Sequence, residues 1–277
     1  MRSWSRRDFL KGAAAAAAGA AAVTPSVASS EAVRVEQVEV RVRGLNPAHD
    51  GLRVAHLSDL HVGSLTPAEC IRTAVAEANR LRADAVVMTG DYLTRERAGV
   101  GLMRELLAGI EAPTFATLGN HDRWVDARGA AAALEHLGYA VLENENTTVS
   151  LRGEPFTVVG IDDLKTHHAD PGRAVAGAAR GSRLYLAHVP RTADILATWG
   201  EPCLLLTGHT HGGQVNIPLL MPALRWLAGE PYRAGLYQVG RVQLYVNRGI
   251  GNVGLPLRIN APPEVALVTL RAEPEPL

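Results

Sequence analysis

Residues 204–213 read Leu-Leu-Leu-Thr-Gly-His-Thr-His-Gly-Gly. A short apolar run is typical of a buried strand, and this one ends abruptly in Gly208 and two histidines one residue apart. In extended backbone, His209 and His211 point to the same face, so two imidazoles can reach one small volume. Two histidines at the end of one strand are more often exposed surface residues than metal ligands. The same kind of strand ending, however, recurs upstream in the sequence.

Four other apolar segments end in polar residues of the same kinds. The endings are Asp59-x-His61, Gly90-Asp91, Gly119-Asn120-His121-Asp122 and His188. In an open α/β sheet, ligands bind where the carboxyl ends of the strands meet. Each residue alone is explained as a turn, a helix cap or a core histidine. Turns and caps do not require the same donors at five strand ends, so we expect these side chains to converge on a functional site.

The spacing of apolar residues predicts an α/β protein. Strands alternate with helices up to about Leu137, which favours parallel strands, crossover helices and sheets buried on both faces. One amphipathic helix is expected from Thr66 to about Leu81, with Thr66 as its cap and Pro67 in its first turn. Residues 139–160 are rich in strand formers and favour antiparallel pairing. No internal repeat or linker follows residue 30, so we expect one domain.

The composition excludes some classes of protein. The chain has 277 residues, of which 47% are hydrophobic, enough to build a large core. Basic and acidic side chains balance at 28 each, so no basic field argues for a nucleic-acid partner. Cys70 and Cys203 lack the spacing of metal ligands, and we expect both to be free rather than joined in a disulfide.

The first residues resemble an export signal. Arg6-Arg7 precede Phe9-Leu10, an alanine-rich run covers residues 13–23, and Ser26-Val27-Ala28 offers small residues for a signal peptidase. We predict a twin-arginine leader over residues 1–28, cleaved near Ala28, with residues 29–277 exported to the periplasm or cell envelope. The alternative is an uncleaved anchor, but the apolar run is shorter than the ~20 residues of a membrane span.

The five strand endings, in this order, resemble the calcineurin-like metallophosphoesterase superfamily over about residues 50–215. The chain is similar in particular to its exported bacterial branch with twin-arginine leaders, which is related to enzymes that split UDP-diacylglucosamine. The resemblance implies a four-layer αββα sandwich with two facing mixed sheets and a metal centre at the C-terminal ends of the strands.

The resemblance also implies two divalent metal ions and seven ligands. One ion would be held by Asp59, His61 and His211. The other ion would be held by Asn120, His188 and His209. Asp91 would be a ligand of both ions. His121 would face the leaving group, and Asp122 would either orient His121 or cap the following helix. Carboxylate, carboxamide and imidazole ligands suit Mn²⁺, Zn²⁺ or Fe²⁺.

These residues predict a hydrolase of phosphodiester or pyrophosphate bonds. Two ions would neutralise the phosphate and generate a bridging hydroxide that attacks it. An imidazole is the group best suited to protonate a leaving alkoxide near neutral pH, which favours His121 for that role. The alternatives are a phosphomonoesterase or nucleotidase on the same centre, and a non-enzymatic envelope protein stabilised by metal. The substrate is expected to be a phosphorylated small molecule or a lipid-linked precursor.

Several features leave alternatives open. Thr94 stands where many relatives carry a second acid, which is a departure from the pattern of the family. Ile217–Trp226 is apolar and interrupted by proline, and it is either a loop covering the core or an exposed lip that contacts an acyl chain or the membrane surface. Arg248 and Arg258 are expected in surface ion pairs rather than on a substrate phosphate.

We interpret two other pairs of polar residues as structural rather than functional. Asp162-Asp163 follows a predicted strand, and we interpret it as part of a turn. His167-His168 is expected in a solvated loop rather than in an accessory metal site.

Overall fold

The computed structural model describes residues 32–216 and 230–273. Its strands and helices alternate over most of the chain. In chain order they are β1 (Arg34–Val42), β2 (Leu52–Leu57), α1 (Ala68–Arg80), β3 (Ala85–Thr89), α2 (Gly99–Leu107), β4 (Thr114–Thr117), α3 (Asn120–Val125), α4 (Ala127–His136), β5 (Ala140–Val141), β6 (Glu145–Leu151), β7 (Glu154–Gly160), α5 (Pro171–Val175), β8 (Arg183–Leu186), α6 (Thr192–Ala197), β9 (Cys203–Thr207), β10 (Gly235–Val239), β11 (Val242–Val246) and β12 (Glu264–Ala272).

The strands form two six-stranded sheets. The first has the order β1-β12-β2-β3-β4-β5, and the second has the order β10-β11-β9-β8-β7-β6. In the first sheet β2 to β5 run parallel and β12 is antiparallel to β2. In the second sheet β11, β9, β8 and β7 run parallel, with β10 and β6 as antiparallel edge strands. Both sheets are therefore mixed, as predicted.

Apolar side chains that alternate along a strand point to opposite faces of the sheet, and each face packs in a different hydrophobic cluster. On β9, Leu204 and Leu206 pack with Val54 of the facing sheet, whereas Leu205 packs with Leu196 of α6. The first sheet likewise turns its outer face to α1, α2 and α4, where Met88 lies among helix residues. Helices therefore cover both outer faces of a two-sheet core, and the predicted αββα sandwich is confirmed.

Helix α1 carries the predicted apolar stripe but not the predicted cap. Ile71, Ala74 and Ala78 are buried against the first sheet. The helix begins at Ala68 without a side-chain cap. The Thr66 hydroxyl instead accepts a hydrogen bond from the backbone N–H of Asn252, 3.0 Å away. The prediction for Thr66 was wrong because a tertiary contact competes for its oxygen.

Helix boundaries differ elsewhere by a few residues. Asn120–Val125 forms the short helix α3, which the sequence analysis did not predict. The sequence also favours a short helix near residues 171–179, and the structure ends it at Val175, four residues earlier. Within the two described ranges, no helix is both long enough and apolar enough to cross a membrane.

Candidate metal centre

The predicted ligands follow β2, β3, β4, β8 and β9, and the two sheets bring these strand ends together. Immediately after the strands the backbone turns into the left-handed region at five of these residues. Their φ angles are 51° at Asp59, 45° at His61, 56° at Asp91, 71° at His209 and 53° at His211. Residues other than glycine rarely adopt this conformation, and it often marks functional sites.

Asp59, His61 and His211 form a first group. Their ligand atoms all lie within 4.8 Å of one another, and all three residues are buried. Nε2 of His61 is 3.1 Å from Nε2 of His211, which is in turn 3.3 Å from Asp59 Oδ1. This is the set implied for one ion.

Asp91, His188 and His209 form a second group, also within 4.8 Å. Nε2 of His188 lies 3.1 Å from Nδ1 of His209 and 3.1 Å from Oδ2 of Asp91. The same Asp91 oxygen is 3.5 Å from Nε2 of His61 in the first group. Asp91 therefore connects the two groups, as expected of a shared ligand.

The geometry fits bound divalent ions. Two nitrogen ligands at about 2.1 Å from one ion lie roughly 3 Å apart when the angle between them is near 90°, close to the His61–His211 and His188–His209 distances. The Asn120 Oδ1 is buried and has no hydrogen-bond partner among the described residues. An unpaired buried oxygen is costly, and coordination to an ion would satisfy it.

The charges of the site also favour cations. Burial lowers the pKa of His61 and of His209 to about 3, so both imidazoles are neutral and have a free lone pair at neutral pH. Burial acts to raise the pKa of Asp59, but the nearby histidines, His211 foremost, hold it well below its usual range. Burial would lower the pKa of His188, yet the Asp91 carboxylate outweighs it and raises that pKa to about 10. An arriving ion would have to displace the His188 proton.

Two of the histidines are held by groups behind them. Nδ1 of His188 donates to the carbonyl of Thr89 at 2.7 Å, which turns Nε2 toward Asp91. Nδ1 of His211 lies 3.1 Å from Nη2 of Arg258. A guanidinium can only donate, so Nδ1 accepts here and a neutral His211 ring carries its proton on Nε2, which faces the first group. An ion bound at Nε2 would have to displace that proton. Such contacts fix the orientation of metal ligands.

Arg258 is buried, so its predicted place in a surface ion pair was wrong. Its exposed fraction is 2%, and it also donates to the carbonyls of Arg248 and Ala261 at 3.0 Å and to that of Gly251. Burial lowers the pKa of Arg258 to about 10, so it stays charged at neutral pH. Arg248, by contrast, forms the predicted ion pair, 2.7 Å from Glu36.

His121 lies at the edge of both groups. One of its ring nitrogens is within 4.8 Å of ligand atoms of His61 and Asp91. Its Nδ1 donates to the carbonyl of Thr94 at 2.8 Å. The Thr94 hydroxyl donates to the carbonyl of Val62 at 3.2 Å. Thr94, which stands where many relatives are expected to carry a second acid, thus holds the His121 ring through the Thr94 backbone carbonyl oxygen.

The Asp122 carboxylate forms no hydrogen bond with the His121 ring among the described residues. Its carboxylate accepts backbone hydrogen bonds at 2.9–3.0 Å from Asp91, Tyr92, Leu93 and Gly119. The last of these caps α3, the helix that contains Asp122, rather than the following one. Burial and the charge of Asp91 raise the pKa of Asp122 to about 7. Its role as a catalytic group stays a prediction, and its contacts are those of a positioning residue.

The remaining polar pairs have structural partners. Asp162 pairs with Arg123, and Asp163 accepts hydrogen bonds from the backbone and hydroxyl of Thr166, which forms the predicted turn. Oδ1 of Asp163 is buried without a described partner, a feature the sequence did not indicate. His167 and His168 are exposed and join no metal-like group among residues 32–216 and 230–273.

Cys70 and Cys203 form no disulfide among the described residues, as predicted. The apolar segment Ile217–Trp226 lies outside the described residues. Both alternatives for it, a loop that covers the core and an exposed lip that contacts an acyl chain or membrane surface, stay predictions.

A fold of two facing sheets with an Asp, Asn and His centre at their strand ends defines a class of metal-dependent phosphoester hydrolases. The model of the calcineurin-like phosphoesterase family matches residues 52–213, and the chain belongs to that family. Its members use divalent metals, and the protein is a metal-dependent phosphoric ester hydrolase. The boundaries of the domain at 29 and 277 stay predictions.

Similar proteins carry consistent names. The chain is 32% identical to the uncharacterized metallophosphoesterase YkuE of Bacillus subtilis, over 98% of this chain and 99% of that one. It is 32% identical to the phosphodiesterase YaeI of Escherichia coli, over 79% and 82%. A transmembrane protein with a metallophosphoesterase domain from Danio rerio is also 32% identical, over 90% of this chain and 60% of that one.

The export signal is confirmed as well. Residues 5–23 match the twin-arginine translocation signal sequence, so the protein is exported by that pathway.

Proposed function

We propose that the protein hydrolyses phosphodiester or pyrophosphate bonds, with His121 as the acid that protonates the leaving group. The observation that carries this proposal is the place of His121. Its ring lies beside both metal groups, 4.7 Å from the His61 ring between centroids, while its Nδ1 is held by the carbonyl of Thr94. A phosphorus atom held at the centre would therefore have this imidazole at one side.

The hydrogen bond to Thr94 also sets the proton positions of His121. A carbonyl oxygen only accepts, so Nδ1 keeps its proton and Nε2 gains or loses the second one. When a water oxygen bonds to phosphorus and the P–O bond to the leaving group breaks, the electron pair of the broken bond stays on the leaving oxygen, and Nε2–H of the imidazolium supplies the proton to that oxygen. Such general acid catalysis typically contributes 10²- to 10⁴-fold.

The seven residues named as ligands would hold two divalent ions. One ion would be bound by Asp59, His61 and His211, and the other by Asn120, His188 and His209. Asp91 would bind both ions. Bound ions would supply Lewis-acid stabilisation of the phosphate oxygens and lower the pKa of water. Asp122 and Arg258 would position Asp91 and His211.

The test begins with metal analysis of protein purified without chelator. We expect close to two divalent ions per chain, and an Asp91→Asn variant should lose them. Bis-p-nitrophenyl phosphate should be a better substrate than p-nitrophenyl phosphate, and the opposite preference would favour a phosphomonoesterase or nucleotidase.

A His121→Asn variant separates an enzyme from a metal-stabilised envelope protein. It should keep its metal and its fold, and on alkyl diesters such as glycerophosphocholine it should lose at least about 100-fold in kcat. On bis-p-nitrophenyl phosphate the loss should be smaller, because nitrophenolate leaves without a proton. Unfolding of the variant, or unchanged kcat on both substrates, would contradict the proposed role.

The lipid part of the substrate is proposed from sequence alone. If Ile217–Trp226 contacts an acyl chain or a membrane surface, replacing Leu220 and Trp226 with serine should lower activity on lipid-linked substrates and spare small diesters. Equal losses on both would argue for a loop that covers the core.

A further inference from the structure

A cleft lies at the end of the two sheets that is opposite the metal centre. It forms where β1 ends and where β8 and β9 begin, and its volume is about 690 Å³. Pockets of roughly 300–1,000 Å³ are typical of sites for small ligands. Arg183 begins β8 and His188 follows its other end, so at about 3.3 Å per residue the cleft is roughly 17 Å from the metal centre. The cleft is therefore a separate feature of the fold.

The lining of this cleft is basic. A smaller cavity of about 320 Å³ adjoins the cleft beside Arg43. Together the two are lined by four arginines and two glutamates: Arg43, Arg180, Arg183, Arg241, Glu201 and Glu273. The described lining thus has two more positive than negative charges, in a chain whose 28 basic and 28 acidic side chains balance. Such a concentration of positive charge in a concave surface favours an anionic ligand.

The guanidinium groups differ in what already holds them. Arg43 donates to the Glu273 carboxylate at 3.2 and 3.3 Å. Nε and Nη2 of Arg183 donate to the carbonyls of two preceding loop residues at 2.7 and 3.1 Å, which fixes the direction of this side chain. Arg180 is exposed and has no hydrogen bond or ion pair with another residue in the described ranges. One oriented and one unpaired guanidinium therefore face the same cleft.

Apolar rings form another part of the wall. Tyr185, Trp199 and Pro202 line the cleft, and Trp199 keeps 40% of its surface exposed. Gly44 and Gly181 lie on the rim with φ angles of 76° and 113°, and no described atom lies within 4 Å of the place where their Cβ would be. No side chain at these two positions fills the cleft, so the indole ring stays accessible to a ligand.

We propose that this cleft binds an organic phosphate, with the phosphate oxygens paired with Arg180 and Arg183 and the apolar body of the ligand packed on Trp199. Guanidinium groups match the geometry of phosphate oxygens, and an indole face suits apolar and aromatic groups. A phosphate monoester carries a charge of about −1.5 to −2 near pH 7, which the two excess positive charges balance. A soluble phosphate ester and the headgroup of a lipid both offer this chemistry. The proposal does not rest on the hydrolase function.

Phenylphosphonate tests the soluble source, because it has no ester bond that the metal centre could cleave. In the ¹⁵N-labelled, metal-loaded protein, the indole N–H of Trp199 reports on the cleft. That of Trp124, whose ring lies 5.1 Å from the His121 ring, reports on the metal centre. We expect the Trp199 signal, assigned with Trp199→Phe, to shift with a dissociation constant on the order of 1 mM or lower. Methylphosphonate, which has no ring, should bind at the cleft about five-fold more weakly.

Two arginine variants test the charge. Arg183→Met should raise the dissociation constant at Trp199 about ten-fold, and Arg180→Met about two- to five-fold. Arg183 also holds the preceding loop, so Arg180→Met, which breaks no described contact, keeps the test independent of folding. Arg104→Met is the matched control, because Arg104 is exposed on α2 and does not line the cleft. Added salt should weaken binding in the wild type.

The lipid source is tested by sedimentation with vesicles. The metal-loaded protein should bind phosphatidylcholine vesicles that contain phosphatidic acid and not pure phosphatidylcholine vesicles. The double variant Arg180→Met and Arg183→Met should lose this binding. Phosphatidic acid is the suitable lipid because its headgroup is a phosphate monoester.

The outcomes distinguish the two sources from failure. A saturable Trp199 shift that the arginine variants weaken assigns the cleft to a soluble phosphate. Vesicle binding that only the double variant loses, without that shift, assigns the cleft to a lipid headgroup. A shift of the Trp124 signal alone, or equal effects in Arg104→Met, would overturn the proposal and leave the hydrolase standing. Absence of both the shift and the vesicle binding would overturn it as well.

Discussion

The carboxylate of Asp122 accepts a hydrogen bond from the backbone N–H of Asp91, with 2.9 Å between Asp91 N and Oδ2. Two oxygens of one buried side chain thus hold the turn that places Asp91, the proposed shared ligand. Backbone geometry at Asp91 and the place of its side chain between the two groups are therefore linked through Asp122, a residue that belongs to neither group.

Replacing Asp122 with asparagine should weaken this link. An amide offers one acceptor and turns an NH₂ group toward backbone N–H groups, so we expect a loss of about 3 kcal/mol in the free energy of unfolding and a roughly ten-fold lower metal affinity. Urea unfolding and metal titration measure the two effects. Asp126→Asn is the control, because asparagine caps α4 as well as aspartate does. Wild-type metal affinity in the Asp122 variant would contradict the argument.

Gly208 should not tolerate a methyl group. A Cβ at this position would overlap the Ser58 hydroxyl and the Asp59 carboxylate, so Gly208→Ala must move a proposed ligand. We expect loss of the first metal, seen by elemental analysis, with the fold retained by circular dichroism. Gly101→Ala, in open space on α2, should keep both metals and stabilise the protein by up to about 1 kcal/mol. Full metal content in the Gly208 variant would show that Asp59 is not a ligand in this position.

His56 should make the protein sensitive to acid. Burial lowers its pKa to about 3, against about 6.5 when unfolded, so the folded state excludes a proton that the unfolded chain binds. Its stabilising contribution is complete above pH 6.5 and falls by about 1.4 kcal/mol for each unit below it. Between pH 7.5 and 5.5, metal-loaded wild type should therefore lose about 1.4 kcal/mol more stability in urea unfolding than His56→Gln. Equal losses in both would contradict the lowered pKa.

Cys203 should be unreactive in the folded protein. Burial raises the pKa of its thiol to about 12, from an ordinary value near 9. At pH 8 the thiolate fraction is then roughly a thousand-fold smaller than in the unfolded chain, and alkylation should slow accordingly. Mass spectrometry of the Cys203 peptide after timed iodoacetamide treatment measures this rate, with urea-unfolded protein as the reference. Similar rates in both states would show that the thiol is accessible.

The alternation of apolar strands and helices predicted an α/β fold with sheets buried on both faces, whereas the two facing sheets were implied by the family resemblance. Leu204–Leu206 and Ala85–Met88 are short apolar runs that end at polar turns, and they became β9 and β3 with little change. The convergence of the strand ends followed from the same pattern, since parallel strands direct their carboxyl ends to one edge. The structure brings all seven proposed ligands to that edge, while their individual roles stay predictions.

What the sequence missed depends on contacts between distant residues. The α3 helix has six residues, too few for a periodic pattern. Arg258 lies 47 positions from His211, and nothing around it indicates that it is buried. Thr66 has the ideal residue type for a helix cap, but Asn252 takes its hydroxyl. For Arg258 and Thr66 the deciding partner is far away in the chain, where local spacing gives no information.

The left-handed turns at Asp59, His61, Asp91, His209 and His211 set a limit on how this protein can change. Each costs roughly 1 kcal/mol relative to glycine. A glycine at His209 would relieve that strain and remove a proposed ligand in the same step. Mutations that survive selection for heat resistance alone should therefore accumulate at these five positions and yield durable proteins that no longer bind metal.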